Sequence, residues 1–374
     1  MPTPPAYLRV KEQLLRDLSD LSTPVGKSWP TESELQERYQ VSRPTISKAL
    51  TALVAEGVLT RVPGRRGFVV ARPTEETRPP ILRIGHVAVV NTLGPSALFQ
   101  LQQYVGLGVC TAAERQGYRV VSSASGLSVA RERAAVEDLL AIGVQGLVIS
   151  SCPRSLEEQA TDYLIHEDLG VPVVLTGMLP QGNPHAAVVF DNRRLNYEVT
   201  STLLAQGHRR IGLLTRPTEI YHLPLRERLQ GYKDAHRDHS LPVDPALILA
   251  LPPAVQQWDR NACLHTTLET LLDRWLALPE RPTALIALED LVAIEFIELL
   301  QQRGLRVPED MTVFGFDNLE IGRHFQPAFP TTQPDFQRMG ELACNVLLNG
   351  IASGELPQQT YVLPVPLLLR GTSP

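Results

Sequence analysis

Residues 41–57 read VSRPTISKALTALVAEG. Ile46, Ala49, Leu50 and Leu53 recur at helical spacing, which predicts a helix that buries this apolar stripe. Ser42 stands at the N-cap position and Gly57 ends the pattern. Pro44 fits the first turn, because an amide there has no intrahelical partner to lose. The opposite face carries Arg43, Pro44, Ser47, Lys48 and Thr51. Any charges would keep a helix solvated, whereas hydroxyls and a guanidinium gathered at a helix N-terminus suit phosphate oxygens and guanine edges in a major groove.

The flanking residues complete a small domain. AYLRVKEQLLRDLSDL (6–21) places Leu8, Val10, Leu14, Leu15, Leu18 and Leu21 near helical spacing. In TESELQERY, Thr31 and Glu34 make the T-x-x-E capping box that starts a second helix, and Gln40 and Val41 form the turn into the third. VLTRVPGRRGFVVA (58–71) alternates and bends like a hairpin, with Gly64 and Gly67 in the bend and Arg65 and Arg66 at the tip. Those arginines suit an adjacent minor groove or the phosphate backbone. Residues 1–70 hold ten Lys and Arg against seven Asp and Glu, while the remainder holds 25 against 33, so a polyanion contact belongs to the head.

RPTEETRPP (72–80) has three prolines, four charges and no apolar residue, the composition of a stiff linker. Beyond it the texture changes to strand-then-helix units. Buried strands fit 81–90, 118–123, 146–150, 171–176, 186–190, 210–215, 283–288 and 311–316, an alternation that predicts parallel sheets covered by helices. About 290 residues suffice for two such lobes. The expected domains are therefore 1–71 (DNA-binding), 72–81 (linker) and 82–374 (effector-binding).

Parallel sheets place ligands beyond the carboxyl ends of their strands. Polar or small residues follow the strands there: Asn91, Ser150, Ser151, Thr176, Asp191, Asn192, Glu289, Asp290, Asp317 and Asn318. Arg228 sits near the start of the helix after the sixth strand. Carboxylates, amides and one guanidinium facing one cleft suit the hydroxyls of a sugar. Each taken singly also suits a strand-end or helix cap.

Other motifs carry less. Cys110, Cys152, Cys263 and Cys344 are scattered without a CxxC pair, as expected for free thiols in a reducing compartment. No apolar run has the length of a membrane span and the N-terminus lacks a secretory core, so a cytoplasmic protein is expected. Gly26-Lys27-Ser28 lacks the upstream glycine of a phosphate loop, because position 21 is Leu21. His236 and His239 form H-x-x-H with no further ligand nearby, and no G-x-S-x-G elbow accompanies Asp162, His166 and Asp168, so neither a metal site nor hydrolysis is expected.

Residues 6–70, with the P-T-E-S-E-L lead-in, the V-S-R-P-T-I turn and the E-G-V-L-T hairpin opening, resemble the winged helix-turn-helix of the GntR family of bacterial transcription regulators. That resemblance implies base or phosphate contacts from Ser33, Ser42, Arg43, Thr45 and Ser47, and from Gly64 and Arg65 in the wing; the outward face of the third helix and the hairpin tip add Pro44, Lys48 and Arg66, and Thr31 is expected to join them. Ser33 and Ser47 stand where many members carry Arg. The stretches DNRRLNYEVTSTLLAQGHRRIGLLT (191–215), RERLQGYKDA (226–235), TALIALEDLVAIEFIELLQQRGLRVPEDMTVFGFDN (283–318) and PTTQPDFQRMG (330–340) are similar to the effector domain of the LacI family. It implies a periplasmic-binding-protein-like fold of two doubly wound lobes around a cleft.

In that cleft the resemblance implies effector contacts from Arg228 and Asp317. Glu289 replaces the usual Asn of an A-N-D motif. Asn91 opens a loop that lacks the usual aromatic pair, leaving Phe99 to supply a shelf for a sugar ring. The combined plan is that of the arabinose-responsive repressor class. The expectation is a ligand-responsive repressor that binds a palindromic double-stranded operator as a homodimer and a sugar-like effector between its lobes, without cofactor, metal or catalytic residues. A sugar- or nucleoside-modifying enzyme with a DNA-binding head is the rival expectation; it requires turnover in the cleft.

Overall fold

The computed structural model describes residues 6–20, 28–61, 67–71, 82–89, 97–216, 220–221, 223–252 and 262–370. The chain divides into two compact units, Met1–Ile81 and Leu82–Pro374. The expected linker, 72–81, lies outside the described residues.

The first unit contains α1 (Ala6–Asp20), β1 (Ser28–Trp29), α2 (Glu32–Tyr39), α3 (Arg43–Ala55), β2 (Leu59–Arg61) and β3 (Phe68–Val70). Thr31 and Glu34 form the anticipated reciprocal cap at the start of α2. Gln40 closes that helix in the left-handed region, at φ 52° and ψ 44°, and turns the chain into α3. Ile46, Ala49, Leu50 and Leu53 are fully buried against Val10, Leu14, Leu35, Leu59 and Phe68. Each large apolar side chain so covered contributes roughly 2 kcal/mol, so this stripe is what sets the rotation of α3. The strands β2 and β3 pair antiparallel as the expected hairpin, and β1 joins the outer side of β3.

In the second unit the first lobe opens with β4 (Arg83–Ala88), α4 (Ala97–Arg115), β5 (Arg119–Ala124), α5 (Val129–Ala141), β6 (Leu147–Ser150), β7 (Arg154–Ser155), α6 (Leu156–Ala160), α7 (Tyr163–His166), β8 (Val173–Thr176) and β9 (Ala186–Phe190). The second lobe contains α8 (Asn192–Ala205), β10 (Ile211–Thr215), β11 (Ile220–Tyr221), α9 (Leu223–Asp238), β12 (Ile248–Ala250), α10 (Ala262–Leu276), β13 (Ala284–Ile286), α11 (Asp290–Gln302), β14 (Thr312–Phe314), α12 (Glu320–Arg323) and β15 (Thr331–Thr332). The chain then returns through α13 (Phe336–Ser353), β16 (Thr360–Leu363) and β17 (Leu367–Leu368).

All eight strands expected in this unit form. β16-β9-β8-β6-β4-β5 make one parallel sheet and β12-β10-β13-β14 another. The backbone crosses between lobes near 190–192, 333–335 and 364–366, so the cleft lies between strand ends from both sheets. α13 lies against α4 at unusually short range. A Cβ on Gly108 would come 2.0 Å from the Gln337 carbonyl oxygen, and one on Gly340 2.0 Å from that of Val105. Only glycine permits this approach.

Candidate functional site

In the head, the described residues expected to meet DNA lie on α2 and α3 or at their N-caps. Ser33, Ser42, Arg43, Pro44 and Lys48 are exposed, while Thr31, Thr45 and Ser47 are half-buried. The Arg43 side chain is 78% exposed, with Nε 3.8 Å from the Glu32 carboxylate. That contact is loose and solvated, worth at most about 1 kcal/mol, so the guanidinium is available to a phosphate or base. Lys48 instead folds back, its Nζ 4.4 Å from the centre of the Tyr7 ring on α1.

Ser42 occupies the N-cap position, but its hydroxyl pairs with that of Thr45 at 2.9 Å and caps no backbone amide. Pro44 has no N–H, and the Thr45 and Ile46 amides donate to the Ser42 carbonyl at 3.0 and 3.2 Å, so side chains rather than backbone amides are the main donors this turn presents to an anion. Gly64, Arg65 and Arg66 lie outside the described residues.

The second constellation lies between the lobes. A cavity of about 120 Å³ is walled by Ser150, Ser151 and Thr176 from the first lobe and by Asn192, Arg228 and Asp317 on the other side. The Ser150 and Thr176 hydroxyls bond to each other at 2.8 Å. Arg228 is held on several sides. Its Nε donates to Asn192 Oδ1 at 3.1 Å and its Nη1 to the Leu288 carbonyl at 2.8 Å, and Phe316 lies under it with the ring centre 4.0 Å from Cζ.

Nη2 stands 3.9 Å from Asp317 Oδ1, too far for a hydrogen bond. Attraction at that distance is about 4 kcal/mol at an effective dielectric near 20, while burying each ion costs several kcal/mol. The pair therefore retains unmet hydrogen-bonding capacity. Burial pulls the Arg228 pKa down, against Asp317 and Glu289. It pushes that of Asp317 up, against Arg228.

Asp317 and Asn318 adopt positive φ, 82° and 47°, which side chains rarely tolerate. Their amides donate to the Thr332 and Thr331 hydroxyls at 3.1 and 3.4 Å. Asp290 fastens the same turn, accepting from the Leu319 amide at 2.7 Å and the Thr331 hydroxyl at 2.6 Å. Fully buried, it belongs to the scaffold behind the site, and burial lifts its pKa to about 7.

Glu289 caps α11 by accepting from the Leu291 amide at 3.0 Å, and its other oxygen is buried with no hydrogen-bond partner among the described residues. Desolvation, with the nearby Asp317 and Asp290 carboxylates adding to it, raises its pKa well above the usual range.

Three expected residues, Glu289, Asp191 and Phe99, are absent from the cavity wall. Asp191 accepts from the Arg194 amide at 3.0 Å as the cap of α8 and is not in the cavity wall; its neighbour Asn192 takes that place, because the first helical residue turns inward where the cap turns along the axis. Phe99 is 37% exposed and absent from the wall, which α4 lines with Leu98, Leu101 and Gln102. The aromatic surfaces there are Phe190 and Phe336, packed edge to face at 5.1 Å. Asn91 lies outside the described residues. A larger recess of about 850 Å³ shares Leu101, Asp317 and Phe336 with the cavity, but lacks Arg228 and the first-lobe hydroxyls.

Among the described residues no helix is long and apolar enough to cross a membrane. The H-x-x-H histidines are each engaged by their own helix, His236 Nδ1 with the Tyr232 carbonyl and His239 Nδ1 with that of Ala235, both at 2.9 Å.

Residues 6–70 match the gntR family of bacterial regulatory proteins, and residues 200–373 match a periplasmic binding protein-like domain. The arabinose metabolism transcriptional repressor of Geobacillus stearothermophilus is 26% identical over 352 residues, 93% of this chain and 92% of that protein. The HTH-type transcriptional repressor PurR of Vibrio cholerae is 28% identical over 267 residues, 71% of this chain and 74% of that one. In fold, the chain is similar to the transcriptional regulator CelR in its cellobiose complex, with TM-score 0.65, 24% identity and coverage of 89% and 92%. It is also similar to the transcription regulator CcpA of Lactococcus lactis, with TM-score 0.64, 20% identity and coverage of 78% and 99%. These relatives are regulators of transcription, and this chain joins a domain that matches the gntR family of bacterial regulatory proteins to one that matches periplasmic binding protein-like domains.

Proposed function

We propose that this ligand-responsive repressor binds a two-fold-symmetric operator as a homodimer and takes a sugar-like effector between its lobes. Residues 1–71 act as the DNA-binding domain, 72–81 as the linker and 82–374 as the effector domain, in the cytoplasm. The observation that carries the reading is the pairing, in one chain, of an exposed α3 face with an interlobe cavity whose Arg228 and Asp317 have unmet hydrogen-bonding capacity.

On the head, Thr31, Ser33, Ser42, Arg43, Pro44, Thr45, Ser47 and Lys48 meet the operator, with Gly64, Arg65 and Arg66 in the wing. Arg43 gives the bidentate or phosphate contact and the hydroxyls fix register. In the cavity, Arg228 and Asp317 grip neighbouring hydroxyls of the effector, Asn192 steadies Arg228, and Ser150 and Thr176 close on it from the opposite lobe. An effector that binds the closed lobes better than the open ones shifts that equilibrium, and operator affinity follows.

The test is selection of bound fragments from a random DNA pool by the full chain and by Arg43→Ala, followed by release with a panel of sugars. Enrichment of an inverted repeat by the unaltered chain alone, with release by a sugar, is the expected result. Operator affinity that stays constant across every bound ligand overturns the reading.

A further inference from the structure

Two short strands tie the lobes together at the edge of the cavity. β7 follows β6 in the first lobe and β11 follows β10 in the second, and they pair antiparallel with Ser155 opposite Ile220 and Arg154 opposite Tyr221. Each lies beside the cavity wall: Ser151 precedes Arg154 by three residues, and Pro224 follows Tyr221 by three.

The first-lobe strand is anchored from below. The Arg154 side chain is 1% exposed; Nη2 donates to Glu132 at 2.6 Å, Nε to Asp162 and Nη1 to the Cys152 carbonyl. The Tyr163 hydroxyl donates to the same Glu132 oxygen at 3.1 Å. Burial alone would pull the Arg154 pKa down, but Glu132 and Asp162 more than reverse this, so the guanidinium stays charged. A buried guanidinium between two carboxylates stabilises a fold no better than apolar packing would. Its effect here is to fix the position of a two-residue strand that has no core of its own. The β7–β11 ribbon itself is too short to be stable alone, so it forms or parts with the lobes.

We propose that the β7–β11 ribbon is a strap across the edge of the effector cavity, parting to admit a small molecule and re-forming when the lobes close. The proposal rests on the reading of this cavity as the effector site. The strap converts occupancy into closure, because the opposed backbones regain their hydrogen bonds only when both lobes are in place.

The test uses the full chain carrying Ser155→Cys and Ile220→Cys at directly opposed positions, with Cys263→Ser removing an exposed native thiol. Hydroxyl-radical footprinting then compares the cross-linked and reduced forms. Met178 and Met339 line the cavity, and Met311, buried in the second lobe, is the control. The expected result is that the cross-link forms and that Met178 and Met339 oxidise several-fold more slowly in the cross-linked form, with Met311 unchanged. Equal rates in the two forms, or failure of the folded chain to cross-link, overturns the strap. Release of operator by a sugar is measured separately on the unaltered chain. A chain that passes that measurement and fails the footprinting keeps its effector site and loses the strap.

Discussion

The α3 face and the interlobe cavity both display an arginine to a ligand, but they hold it differently. Arg43 stands 78% exposed beside one distant carboxylate, whereas the Arg228 side chain is 14% exposed and fixed by an amide, a carbonyl and a ring. Water solvates the first, so the head can change its charges without disturbing its core. The second depends on neighbours that also hold the fold, so a change in those supports costs recognition and stability together.

Removing a support from the cavity should have the largest effect. Asp290→Ala leaves the Leu319 amide and the Thr331 hydroxyl without their acceptor, a loss of about 4 kcal/mol in urea unfolding. The same group makes a pH prediction. Its folded pKa, about 7, lies above the ordinary 3.8, so the folded state binds the proton more tightly. Its contribution to stability is therefore complete below the ordinary value and is lost as pH rises toward about 7. Asp290→Asn should flatten that part of the decline in the urea midpoint across this window.

Arg228→Met comes next. Effector affinity should fall by about 3 kcal/mol, roughly a hundredfold, with ligand-free operator binding intact. Isothermal titration and a gel-shift assay read the two halves of that expectation. Arg43→Ala should do the reverse, weakening operator binding by about 2 kcal/mol and reducing the salt slope by about one, with the urea midpoint unmoved. If Arg43→Ala unfolds the head, the contrast drawn above fails. The smallest effect belongs to Thr31→Ala, which removes a cap from α2 and should lower the stability of the head by about 1 kcal/mol.

The head face was legible in the sequence because it is contiguous: one capping box, one turn and one apolar stripe determine which side of α3 is left out. The strands of the two sheets were legible because both their faces are covered, which makes each a run of apolar residues. β16 escaped because it is an edge strand whose side chains alternate between exposed and half-buried, and β12 because three residues carry no pattern. β1, β7 and β11 are two-residue strands defined by their partners.

Arg228 lines the cavity, whereas Phe99 does not. The buried spacing of Leu98, Leu101 and Val105 was available to show that residue 99 turns away from the core side of α4. The exchange of Asp191 for Asn192 is a single step at a strand-to-helix junction, where sequence spacing gives the junction but not the direction of each side chain.

The glycine contacts between α4 and α13 bear on how a signal leaves the cavity. Where side chains interdigitate, one helix can slide past another by changing rotamers. At Gly108 and Gly340 there is no such slack, since each helix backbone rests on the other. α13 begins directly after the crossover at 333–335, and α4 contributes Leu98, Leu101 and Gln102 to the cavity wall. The two helices thus form a splint whose crossover end also lines the cavity, through Phe336 and Met339 of α13 beside the α4 residues, so a twist at the crossover carries the cavity wall with it as a unit. A methyl group at Gly108 or Gly340 would wedge the two helices apart and uncouple them, even though neither residue lines the cavity.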